Sequence, residues 1–91
     1  MSVTLEEAKV YLRQDSVDED QLITGLIGAA EELVRDVSRL DDEAFSKYSD
    51  TTKIAVLYAV SYLYEHREEA DHHELTLTLR SLLFGVREAK F

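Results

Sequence analysis

The feature that most restricts the fold is the run of residues 54–64, in which ten of eleven residues are apolar and only Ser61 is polar. Apolar spacing of three and four on both sides of this run favours a helix over a strand. Such a helix would be apolar around its whole circumference, so each side must be covered. The run is too short to cross a bilayer.

Two kinds of cover remain open for this helix. The other helices of a 91-residue chain would cover only part of it, which leaves the rest to face another subunit. Alternatively, it is the central core helix and its tyrosines reach solvent through their hydroxyl groups. Tyrosines suit an interface because they are large, stiff and polar at the tip. The candidate oligomer interface comprises Tyr58, Tyr62, Tyr64, Glu65 and Arg67.

Helical periodicity extends over most of the chain. The predicted helices span residues 5–13, 19–38, 52–69 and 76–84, and residues 85–91 form a C-terminal tail. The expected fold is therefore all-α: a small bundle of three main helices plus a short C-terminal helix and tail. A chain of 91 residues without an internal linker is expected to form one domain, residues 1–91.

Capping residues indicate where the first two helices begin. Thr4 and Glu7 have the spacing of a capping box. Asp18 is a suitable N-cap for the second helix. Asp41 is expected to cap a short helical turn in the connector of residues 41–50, after which the third helix starts at Asp50 or Thr51.

Two interpretations of the last segment remain open, a short strand and a helix. Leucine and threonine alternate over residues 75–79, as they would in a short strand. Leu79, Leu82 and Leu83 keep helical spacing, which favours a helix. Gly85 is then expected to end it as a C-cap.

Charge is distributed unevenly along the chain. The net charge is −9, but residues 75–91 carry a local +2 and the preceding 74 residues carry −11. Such an acidic body argues against non-specific binding to phosphates. The basic end could dock onto an acidic partner, or it could be an ordinary charged terminus. The candidate partner-docking tail comprises Phe84, Val86, Arg87, Lys90 and Phe91.

Catalytic and metal-binding patterns are missing from the sequence. There is no cysteine, no glycine-rich phosphate loop and no nucleophile elbow. His66, Glu69 and His73 have spacing that would align them on a helix, but a polar helix end explains them better than a metal site. We expect no enzyme activity, no cofactor and no metal. The N-terminus lacks signal-peptide features, so we expect synthesis in the cytoplasm and no membrane association.

Several segments together resemble the phage head–tail connector family. They follow the order of that family over nearly the whole chain. They are residues 4–13 (TLEEAKVYLR), the acidic break at 18–20, residues 22–31 (LITGLIGAAE), residues 54–57 with 62–68 (IAVL and YLYEHRE) and residues 82–87 (LLFGVR).

The resemblance implies a structural virion protein at the head–tail junction, made in the bacterial host cytoplasm. It implies a ring of about a dozen copies of the chain under the portal protein, which extends the DNA channel and receives the next head-completion or tail component. DNA would pass without specific binding, and the C-terminal segment would engage the portal. The competing interpretation is a small acidic protein-binding regulator, either antitoxin-like or a nucleic-acid mimic.

Overall fold

A computed structural model describes residues 3–66 and 73–88, with side chains described through Phe84 in the last helix. These residues form five helices and no strand. The helices are α1 (Leu5–Leu12), α2 (Asp20–Ser38), α3 (Asp42–Lys47), α4 (Ser49–Glu65) and α5 (His73–Glu88). The all-α prediction is confirmed, and the alternative of a strand at residues 75–79 is wrong because they lie within α5.

The start of α1 has the predicted capping box. The backbone N–H of Glu7 donates to Thr4 Oγ1 (3.1 Å), and the backbone N–H of Thr4 donates to Glu7 Oε1 (3.0 Å). Two of the free N–H groups of the first turn are satisfied in this way. The helix ends at Arg13, which adopts the left-handed conformation at φ 58°.

The predicted cap of α2 is wrong. The N-cap is Glu19, not Asp18, and its side chain makes no capping bond. The backbone N–H of Asp18 instead donates to Ser16 Oγ (3.1 Å), while that of Ser16 donates to Gln14 Oε1 (3.1 Å). These local bonds turn the loop before the helix begins and leave the Glu19 carboxylate to other partners.

The connector of residues 41–50 is more helical than predicted. Asp41 Oδ1 accepts from the backbone N–H of Ala44 (2.8 Å), as expected, and this caps α3. The next helix begins at Ser49, ahead of the predicted Asp50 or Thr51. The reason is Thr52, whose backbone N–H (2.9 Å) and hydroxyl group (3.1 Å) both donate to the carbonyl oxygen of Tyr48.

Helix α4 ends earlier than the predicted residue 69. Its last residue is Glu65, and His66 already leaves the helical conformation at φ −119° and ψ 30°. The His66 ring folds back on the last turn, where Nδ1 lies 2.9 Å from the carbonyl oxygen of Tyr62. The backbone N–H of His66 donates to the same carbonyl oxygen (2.9 Å), so the ring folds over the last backbone bond of the helix.

Helix α5 is longer than predicted at both ends, and Gly85 lies inside it. The prediction that Gly85 ends the helix is therefore wrong. Glycine ends a helix by adopting the left-handed conformation, and none of the glycines has positive φ. Within a helix glycine costs only about 1 kcal/mol relative to alanine, which packing can offset.

The core lies where α2, α4 and α5 meet. Each helix contributes one apolar stripe, and the fully buried side chains include Ile23, Ile27, Ala30 and Val34 of α2, Ala55, Val56, Ala59 and Val60 of α4, and Leu75, Leu79 and Leu83 of α5. No helix in the described ranges is long and apolar enough to cross a bilayer.

Helices α1 and α5 lie on opposite sides of the α2–α4 pair. Both pack against α2 and α4, but they pack little against each other. Two helices side by side leave one groove on either side, and α1 and α5 each fill one. The bonds of α4 agree with this arrangement, since Lys53 and Tyr64 both reach α1 or its following loop and are eleven residues, about three turns, apart.

Candidate assembly surfaces

An ion pair between Glu7 of α1 and Lys53 of α4 joins the two helices. The hydrogen bond from Lys53 Nζ and the capping bond from the Thr4 backbone N–H both favour the charged carboxylate, with Lys53 the larger cause. Together they hold the pKa of Glu7 below its ordinary value of 4.5. Glu7 thus serves the cap of α1 and the docking of α1 on α4.

Tyr64, one of the predicted interface residues, is bonded inside the chain. Its hydroxyl group donates to Glu19 Oε1 (2.6 Å). Gln14 Nε2 donates to Glu19 Oε1 (3.0 Å) and to the Tyr64 oxygen (3.1 Å). These bonds join the end of α4, the α1–α2 loop and the start of α2. The hydroxyl group of Tyr64 therefore has a structural role within one copy of the chain.

The other predicted interface residues are only partly brought together. Tyr58 and Tyr62 are half-buried and pack against the core. The Tyr62 ring stacks on His66 with centroids 4.2 Å apart. Glu65 is exposed at the end of α4, and Arg67 lies outside the described residues. A role of this group in oligomerisation stays a prediction.

The outward side of α4 carries an exposed residue that the sequence analysis missed. Ile54 is 60% exposed. Ser61 lies seven residues later and Glu65 eleven, so all three fall on one face of the helix, away from the buried stripe. The uncovered part of α4 is thus narrower and more polar than its sequence suggests.

Helix α5 has an outward face that is apolar and basic. Leu77 is 46% exposed and Phe84 is 60% exposed. They are seven residues apart, on the side of the helix away from the buried Leu75–Leu79–Leu83 stripe. Arg80 is exposed between them. The sequence analysis did not identify Leu77 or Arg80 as surface residues of interest. Leu77 falls on a different side of the helix from Leu75, Leu79 and Leu83, and this could have revealed a second apolar face.

The predicted partner-docking tail lies mostly beyond this face. Phe84 is its first residue and is exposed on α5. The backbone of Val86 and Arg87 continues α5, but their side chains lie outside the described part of the chain, as do Lys90 and Phe91 entirely. Docking by this tail stays a prediction.

Helix α1 has a third exposed apolar face, which the sequence analysis also missed. Val10 is 79% exposed and Tyr11 is 48% exposed. Neither shares the inward face of Leu5, Ala8 and Leu12, so the spacing alone could have identified them. A shallow groove of about 600 Å³ runs beside Val10, lined by Glu6, Lys9, Val10, Arg13, Gln14 and Asp15.

A second cleft, of about 350 Å³, lies between α2, α3 and α4. Its cations already have partners, because Arg35 pairs with Asp42 and lies over the Phe45 ring, and Lys53 pairs with Glu7. In the ranges that the structure describes, no three His, Asp or Glu side chains are grouped as metal ligands would be. This cleft offers no arrangement that we can connect with chemistry.

The comparisons with known proteins identify a family. The sequence model described as Phage gp6-like head-tail connector protein matches residues 2–89. No curated protein and no solved structure matches the chain. Members of this family are structural parts of the phage virion that interact with its other components, and they are not enzymes. The chain belongs to the phage gp6-like head-tail connector family, as the resemblance implied.

Proposed function

We propose that this chain, as a single connector domain, forms a ring between the portal protein and the tail of a phage. The ring extends the DNA channel and joins head to tail. The observation that carries the proposal is the family match over residues 2–89.

The distribution of exposed apolar residues supports assembly. Val10 of α1 and Phe84 of α5 are both more than half exposed, on helices that pack on opposite sides of the α2–α4 pair. Faces placed on two sides of one subunit can contact two neighbours at once, which is what a cyclic assembly needs. A regulator that binds one partner needs only one such face.

The charge of the chain supports a role around DNA without affinity for it. The net charge is −9, which disfavours contact with phosphates. DNA must slide through a channel without sticking to its wall. We therefore expect acidic side chains on the wall of the ring. A ring whose inner wall is basic, or a chain that binds duplex DNA tightly at physiological salt, would contradict this role.

The C-terminal segment is proposed to engage the portal. Residues 75–91 carry a local +2 on an otherwise acidic chain, which would favour an acidic surface of the portal. We assign this role to Val86, Arg87, Lys90 and Phe91. Phe84, which the sequence groups with them, is exposed on the outward face of α5.

Sedimentation velocity of the chain, alone and mixed with the portal protein of the same phage, tests this proposal. We expect a closed ring of about a dozen copies, formed either by the free chain or only in the presence of the portal. A dimer that never binds the portal, but binds a basic protein tightly, would favour the acidic regulator instead.

A further inference from the structure

We propose that neighbouring copies of the chain pair head to tail, with the outward face of α5 on one copy against the outward face of α1 on the next. The α5 face comprises Leu77, Arg80 and Phe84, and the α1 face comprises Glu6, Val10 and Tyr11. This contact rests on the proposed ring and names the surfaces that build it.

Both faces expose apolar side chains that contact between copies would remove from water. Phe84 projects from α5 at 60% exposure, and Leu77 adds apolar surface two turns away. The α1 face offers Val10 at 79% exposure beside a shallow groove, whose other lining side chains are polar or charged. Packing Phe84 of one copy against Val10 of the next would bury apolar surface of both side chains.

Charge favours this pairing over contact between two like faces. Exposed acids Glu6, Asp15 and Asp18 outnumber Arg13 on α1 and its following loop. Arg80 stands at the centre of the α5 face, within residues 75–91, which carry a local +2. A symmetric pair of antiparallel α5 helices centred between Leu77 and Phe84 would instead bring two Arg80 side chains together, and like charges at an interface are costly.

The placement of the two helices makes the contact propagate. Since α1 and α5 lie on opposite sides of the α2–α4 pair, one copy presents an unoccupied α5 face after its α1 face is used. Contacts between different faces continue from copy to copy and end only by closing a ring or growing a filament. Contact between two identical faces would stop at a dimer.

Disulfide cross-linking can test the contact directly, because the natural chain has no cysteine. The variant Val10→Cys/Phe84→Cys places one thiol on each face. The single variants Val10→Cys and Phe84→Cys are tested beside it. The matched control is Glu32→Cys/Phe84→Cys, because Glu32 is exposed on α2 away from both faces. Each variant is oxidised under the conditions in which the unmodified chain forms rings, and is then separated on a denaturing gel.

We expect the double variant to give a ladder of dimers, trimers and longer products. A mixture of the two single variants should give dimers only, and each single variant alone should stay monomeric, as should the control pair. If the rings persist but the double variant gives no ladder, the assignment of faces is wrong while the ring stands. Dimers of a single variant alone would overturn the head-to-tail contact in favour of a symmetric one. If no ring forms under any condition, the proposed function and this contact fail together.

Discussion

The hydroxyl group of Tyr64 lies 2.6 Å from a carboxylate oxygen of Glu19, so the last turn of α4 is hydrogen-bonded to the residue that precedes α2. Gln14 donates to both groups from the α1–α2 loop. Glu19 is available for this because its side chain makes no capping bond to α2. The end of α4 is thereby held against the connection between α1 and α2, which is distant from it in the sequence.

Replacing Tyr64 with Phe should therefore destabilise the fold. The change removes the donor to a carboxylate in a partly buried site, where such bonds contribute about 1.5–3 kcal/mol. We expect the free energy of unfolding in urea to fall by about 1–2 kcal/mol, since Gln14 still donates to Glu19. Tyr11→Phe is the matched control and should change stability by less than about 0.5 kcal/mol, because Tyr11 is exposed on α1. Equal stability of the two variants would contradict the structural role of Tyr64.

The Glu7–Lys53 pair should make part of the stability depend on pH. The pKa of Glu7 is lowered in the folded chain, so the unfolded chain binds the proton more readily. The stabilisation is then present above the ordinary pKa of 4.5 and is lost as the pH falls through the lower folded value. We expect Glu7→Gln to destabilise the chain at pH 7 and to have a smaller effect at pH 3, in urea unfolding followed by circular dichroism.

Salt and a neighbouring variant provide the controls for Glu7. The side chains of Glu7 and Lys53 are 39% and 42% exposed, so 1 M NaCl should weaken their attraction. Glu6→Gln, on the exposed side of α1, is the matched control and should change stability at pH 7 by less than about 0.5 kcal/mol. A constant effect of Glu7→Gln from pH 3 to pH 7 would show that the capping geometry alone, and not the charge, is responsible.

Arg13 occupies a position that glycine would suit better. It ends α1 at φ 58°, and the backbone N–H of Gln14 donates to the carbonyl oxygen of Lys9 (2.9 Å) in the manner of a glycine-capped helix end. We expect Arg13→Gly to raise the free energy of unfolding by about 1 kcal/mol, because the left-handed conformation strains any residue with a side chain. Arg13→Ala keeps that strain and should give no comparable gain. Destabilisation by glycine would mean that the Arg13 side chain matters more than its backbone.

Substitutions on the outward and inward faces of α5 should have different effects, the first on assembly and the second on folding. Phe84→Ser removes an exposed apolar side chain, so the monomer should keep its stability within about 0.5 kcal/mol while ring formation is lost or greatly weakened. Leu79→Ala, on the buried face, should instead cost about 2–5 kcal/mol of folding stability. Thermal unfolding and sedimentation of the two variants check both effects. Normal assembly of Phe84→Ser would exclude the α5 face from the ring contact.

The sequence predicted those features that depend on local chemistry. The capping box of Thr4 and Glu7 and the cap at Asp41 are confirmed because a side chain a few residues away suffices to form them. The buried stripe of α2 likewise follows from its spacing. Gly85 shows the limit of this approach, since a glycine that suits a helix end locally lies within α5.

The surfaces were harder to predict than the core. The apolar run of residues 54–64 indicates how much of α4 must be covered, but the positions of α1 and α5 determine which side is left open. Tyr64 faces α1 and is bonded to Glu19, whereas Ile54 faces outward and is 60% exposed. Which of these side chains meets solvent depends on contacts between distant segments, and the periodicity of one helix does not contain that information.

The central claim, a ring that joins portal and tail, is tested most directly by cryo-electron microscopy of the full chain bound to the portal protein of the same phage. We expect a closed ring of about a dozen helical subunits, coaxial with the portal and with an open channel along its axis. Portal particles that carry no added ring at saturating concentrations of the chain, or that carry isolated copies with no contact between neighbours, would contradict it.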